Sequence, residues 1–209
     1  MGSTVSLGQS SHRSAHAEKS TASVDAIRMH LRQHRGAFLH LAAKMSHEGT
    51  AVLRLATHSG VAFSVDDALE ALRDRADLLD VACEYAIKAG DGGRLPLRDL
   101  LNLWSGALLV VENSPPKVRF ATLDAFVETH GDLFVVSHAK RQSAGETTLL
   151  QMLERALVTI RGAQHHDQTF DVVSNNCEHF AFFLCTGENR SPTLDAIPLA
   201  DWIVRLAQD

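Results

Sequence analysis

The segment Ser174-Asn175-Asn176-Cys177-Glu178-His179-Phe180 constrains this chain more than any other. Asn is a favoured helix N-cap, because its side-chain oxygen accepts a bond from an orphan N–H of the first turn. Phe180, Phe183 and Leu184 follow at helical spacing, so one face of the helix belongs in a core. The pattern predicts a helix from near Asn175 to near Gly187, with Cys177 in its first turn. Unpaired N–H groups and the helix dipole favour a thiolate there and lower a thiol pKa. A sulfur so placed sits on a rigid element, as a nucleophile requires. Burial as a structural cysteine is the plain alternative, since free cysteines are among the most buried residues.

Composition removes several other chemistries. The 209 residues are 45% hydrophobic and 22% charged, enough for one domain with a real core. The net charge is −5 and no Lys/Arg cluster interleaves with aromatics, which argues against a nucleic-acid groove. Cys83, Cys177 and Cys185 are odd in number and lack paired-ligand spacing. A disulfide framework and a structural zinc site are therefore not expected, and a reducing, cytoplasmic setting is. His165, His166 and Asp167 read as a solvated loop rather than a metal site, so neither metal nor cofactor is expected.

The longest apolar run, around Ala107 to Val111, is far short of the about 18 residues that span a bilayer. The first twenty residues, rich in Ser, Thr, His and Gly, do not read as a secretory signal. Met1-Gly2-Ser3-Thr4-Val5-Ser6 matches the N-myristoylation pattern, with Gly2 as acceptor, although such a start also arises by chance. One such chain would give weak, reversible peripheral membrane attachment.

Along the chain, residues 1–22 read as a flexible polar tail and 23–209 as one domain. Ser23 caps a short helix over Asp25 to Leu31. Ala37 to Ala43 suits strand or helix, and Thr50 to Ala56 alternates like a strand. After Ser64 a long amphipathic helix runs through Leu69, Leu72, Leu78 and Leu79 towards Ala86, halted by Gly90-Asp91-Gly92-Gly93. Gly106 to Val111 is strand-like and ends at Pro115-Pro116. Lys117 to Ala121 and Asp132 to Ser137 are further strands around a helical turn at Leu123 to Val127. Leu149, Leu150, Leu153, Leu157 and Ile160 stripe a helix from about 145 to 161, with Gly162 at its cap position. Leu194 to Ala207 reads as a short amphipathic addition. The fold class expected is α+β, an antiparallel sheet packed against helices.

The run Asn176-Cys177-Glu178-His179-Phe180 resembles the active-site motif of the lecithin–retinol acyltransferase-like family, permuted papain-like cysteine enzymes related to the NlpC peptidases. Val118 to Phe126 resembles that family's strand and turn, Glu154-Arg155-Ala156-Leu157 its Arg-Ala helix, and Cys185-Thr186-Gly187 the end of its cysteine helix. The resemblance covers about 107 to 190. It implies a permuted papain-like fold with the nucleophile at a helix N-terminus. Asn176, Glu178 and His179 are its supporting residues.

A thiol nucleophile needs a base, which the resemblance puts on a histidine strand N-terminal to the cysteine. Two registers offer one. Gly36, His47 and His58 are evenly spaced, which makes His47 the base and His58 the group that orients it. In the second register Thr57-His58-Ser59-Gly60-Val61-Ala62-Phe63 is the histidine strand, His58 is the base and Glu70 orients it. Both treat about 62–103 as a helical insertion, and the first is preferred because the sequence after Ser64 reads as helix.

The resemblance implies that Cys177 takes an acyl group from a phospholipid or other acyl ester and passes it to an alcohol, an amine or water. That is phospholipase A or acyltransferase chemistry without a metal or cofactor. The alternatives are an inactive relative that binds lipid or protein, and a cysteine peptidase or amidase with the same centre.

Overall fold

A computed structural model describes residues 18–44, 57–80, 82–83, 95–114, 117–130, 132–138, 147–165 and 176–192. Strands β3 (Thr57–Ser64) and β6 (Leu108–Ser114) are buried over nearly their whole length, as strands covered on both faces must be. They form the centre of a six-stranded sheet with β1 (Glu18–Thr21), β2 (Phe38–Lys44), β7 (Lys117–Thr122) and β8 (Leu133–Ser137). The order is β1-β8-β2-β3-β6-β7, and every pairing is antiparallel.

Alternation along the strands divides the apolar residues between two cores. Val61, Phe63, Leu109, Val111 and Phe120 face α2 (Val65–Ala71), α3 (Ala76–Leu79), α4 (Leu97–Leu103), α6 (Leu149–His165) and α7 (Cys177–Thr186). Leu41, Ala43, Ala62 and Val110 face α1 (Val24–Gln33) and α5 (Leu123–His130). The protein is therefore α+β, an open antiparallel sheet with helices on both faces. At Gly60, opposite Glu112, an added Cβ would lie 2.5 Å from Val110 and 3.3 Å from Phe126. Only glycine lets α5 approach β3 this closely.

Ser23 caps α1 by accepting from the Ala26 N–H. The ambiguous run from Ala37 resolves as β2, and the two strands and the turn around Leu123 form β7, α5 and β8. Three features differ from expectation. Residues 18–21 are not tail but β1, a polar edge strand laddered to β8, whose stability comes from backbone bonds that apolar periodicity does not register. The long helix after Ser64 breaks between α2 and α3. In a straight helix Leu78 would lie off the stripe of Val65, Ala68 and Leu72, whereas the turn brings Leu72, Leu78 and Leu79 all into the core. Helix α6 continues through Gly162, whose helical cost of about 1 kcal/mol is outweighed by buried Leu153, Leu157 and Ile160.

The stretch of about 62–103, expected as a helical insertion, also contributes to the core. Beyond β3 it supplies α2, α3, the short paired strands β4 (Ala82–Cys83) and β5 (Leu95–Pro96), and α4, and its helices complete one core. The expected elements at 50–56 and 194–207 lie outside the described residues.

Candidate functional site

Asn176 has extended backbone angles, and its Oδ1 accepts from the N–H groups of Glu178 at 2.9 Å and His179 at 3.0 Å. The helix accordingly begins at Cys177 and ends at Gly187, whose φ of 81° is a left-handed cap. The His179 ring donates from Nδ1 to the same Asn176 oxygen, at 3.0 Å, because an amide oxygen only accepts. Ser191 donates to the Glu178 carboxylate, tying the first turn to the segment after the helix. Asn176, Glu178 and His179 thus shape the turn that carries Cys177. Arg155 of α6 donates to the Leu184 carbonyl at 2.8 Å and fixes the other end.

Cys177 is 8% exposed. Its Sγ donates to the Thr57 carbonyl at 3.6 Å and also meets the Ser59 N–H. The sulfur is therefore held by the two peptide groups that bracket His58. Burial pushes the thiol up to about 11, and the Glu178 carboxylate adds to this. The N–H groups of Ser59, Glu178 and Cys177 oppose the rise without cancelling it. The lowered pKa expected from the helix start is thereby corrected: desolvation of a buried thiolate outweighs the dipole.

His58 continues the site on the sheet face that α5 covers. Its Nε2 lies 2.5 Å from Glu112 Oε2, and its ring stacks on His130 at 4.1 Å between centroids. Glu112 is 1% exposed and accepts from Arg119 Nε at 2.7 Å through its other oxygen. His130 Nε2 is 3.6 Å from Glu112, beyond hydrogen-bond length. Burial works against ionised Glu112, but its hydrogen-bonded partners win and hold the carboxyl far below its ordinary range. Burial also lowers His58, although Glu112 opposes this.

These shifts fix the tautomer. An ionised carboxylate can only accept, so His58 carries its proton on Nε2. The neutral ring leaves Nδ1 as the basic nitrogen. Among the described residues the thiol hydrogen-bonds to backbone rather than to this ring.

Of the residues expected at the site, Cys177 lies against the backbone on either side of His58, with Asn176, Glu178 and His179 beside it, whereas the His58 ring lies on the α5 side of the sheet against Phe126 and His130. His47 and Gly2 lie outside the described residues. Glu70 does not orient His58, because it is an exposed residue of α2 paired with Arg73. Its place is taken by Glu112, which sequence reading missed together with Arg119 and His130. The available signal was a carboxylate continuing the apolar run Leu108-Leu109-Val110-Val111. No described helix is long and apolar enough to cross a membrane.

The closed thiol has a measurable consequence. Near neutral pH, iodoacetamide should alkylate Cys177 at least about tenfold more slowly in the folded than in the denatured protein, since only thiolate reacts. The folded-state rate should climb with pH towards 11. Peptide mass mapping reads the site, and equal rates in the two states would contradict the burial.

The fold is an α+β scaffold that holds a buried thiol against the backbone of β3 and a buried His58–Glu112–Arg119 cluster. No family model, curated protein or solved structure matches the chain.

Proposed function

We propose that this protein is a thiol-dependent acyl-transfer enzyme, with Cys177 as nucleophile, His58 as its base and Glu112 as the group that orients His58. The observation that carries this reading is the grip of the Thr57 and Ser59 peptide groups on the sulfur, around a histidine whose tautomer Glu112 sets. On this reading the His58 ring turns past β3 towards the sulfur, its Nδ1 takes the thiol proton, and the thiolate adds to an ester carbonyl. The Cys177 N–H, beside the sulfur, faces the oxyanion, because Asn176 occupies the N–H groups of Glu178 and His179. The C–O bond then breaks, the leaving alcohol takes the proton from His58, and a thioester remains. An alcohol, amine or water gives its proton to His58, attacks the thioester and frees the thiol.

The likeness of Asn176 to Phe180 to the lecithin–retinol acyltransferase-like motif favours a phospholipid ester as acyl donor, and with it a permuted papain-like arrangement. Peripheral contact with a membrane, aided by acylation at Gly2, fits the same reading.

Incubation with phosphatidylcholine vesicles, followed by intact mass, tests the proposal. A fatty-acyl adduct is expected on the wild type and not on Cys177→Ser. An adduct on both would overturn Cys177 as nucleophile. Bound vesicles without an adduct would favour the catalytically silent lipid-binding module, a reading for which the buried thiol also argues. An adduct from peptide or amide substrates alone would favour a peptidase or amidase.

A further inference from the structure

We propose that His40, His138 and Cys185 together bind a divalent transition-metal ion of the zinc class. The three come from β2, the end of β8 and α7, and their donor atoms all lie within 4.8 Å of one another. His40 is 3% exposed and shares its strand face with Phe38, on the side of the sheet that α7 covers. His138 packs edge-on against Phe182 with centroids 5.0 Å apart. Cys185 follows Phe182 by one helical turn on the same face of α7.

The separation of the ring nitrogens suits an ion. His40 Nδ1 and His138 Nε2 are 3.0 Å apart. Two nitrogens bound to zinc at about 2.0–2.1 Å in a tetrahedron are about 3.3 Å apart, so the rings need to part by only a few tenths of an ångström. A bare ring-to-ring hydrogen bond explains less. It leaves His138 Nδ1 buried without a partner among the described residues, and it gives the adjacent thiol no part. On binding, Cys185 releases its proton to solvent, and two imidazoles and a thiolate leave one tetrahedral position for water.

The only other such group among the described residues, His58, Glu112 and His130, is a poorer site. There Arg119 already neutralises the carboxylate, and a cation would face its guanidinium. Around His138 and Cys185 the facing charges are the Glu178 carboxylate and the Arg155 guanidinium, one of each sign. The ion would pin α7 to β2 and to the end of β8, holding the helix that presents Cys177. It does not depend on the acyl-transfer reading.

Cobalt(II) titration of the chelator-stripped protein tests this. About one ion per chain should bind, with a thiolate-to-cobalt charge-transfer band in the near ultraviolet that zinc abolishes by displacement. Cys185→Ser should remove the band and weaken binding at least about tenfold, the smaller cost known for losing even an outer-shell partner. His138→Gln should weaken binding similarly, and it serves if Cys185→Ser fails to fold by circular dichroism. Cys177→Ser should keep the band. Absence of cobalt binding by the wild type, a band that survives Cys185→Ser, or one lost in Cys177→Ser would overturn the proposal.

Discussion

His58→Gln is expected to slow acylation of Cys177 by about 10²- to 10⁴-fold at neutral pH, the range for loss of a positioned general base. The substitution suits the site because a glutamine amide can still donate to Glu112, so the buried carboxylate keeps a partner. What it removes is a nitrogen that can take up a proton. The thiol makes the loss severe: with its value near 11, Cys177 holds almost no thiolate at rest and depends on proton transfer during attack. The wild-type rate should also fall in acid, once His58 is protonated. Because burial sets this ring below the ordinary 6.5, that acid limb should lie below 6.5. Time-resolved intact mass across pH measures both effects, with His47→Ala run in parallel. Wild-type acylation in His58→Gln with none in His47→Ala would hand the role of base to His47.

That comparison also probes what the sequence could reveal. The start of α7 was legible because its information is local: a capping Asn, a Cys one residue later and phenylalanines at helical spacing. The choice between registers was not local. Thr57 to Phe63 reads as a strand by itself, but its role depends on a partner 54 residues away, since His58 meets Glu112 only when β3 pairs with β6. The chain between them resembles an insertion, and the carboxylate that the local sequence offers, Glu70, is exposed and paired with Arg73. Edge strand β1 was hidden for a similar reason, because polar Glu18-Lys19-Ser20-Thr21 is a strand only beside β8. Long-range pairing decided each case.

Glu112→Ala is expected to destabilise the fold by about 3–5 kcal/mol, the usual cost of removing one member of a buried charge cluster. For a chain of this size that corresponds to a fall of roughly 6–20 °C in melting temperature. The carboxylate accepts from His58 and Arg119 at once, and both donors would be left facing a cavity. Glu112→Gln keeps the volume but removes the charge, so it should fall between wild type and Glu112→Ala. Acid should expose the same dependence. The folded-state value of Glu112 is depressed below the ordinary 4.5, so its contribution is complete above 4.5 and lost as pH falls towards the folded value. His58, lowered from 6.5, adds a loss with the same sign that begins at higher pH, because the unfolded chain takes up that proton first. Chemical denaturation of wild type and Glu112→Gln from neutral to acid pH separates the two. The variant should lose the lower-pH part of the slope, and identical slopes would mean that the depressed carboxyl is not Glu112. A Glu112→Met, Arg119→Met pair should be less damaging than Glu112→Ala, because it removes the facing charge together with its partner.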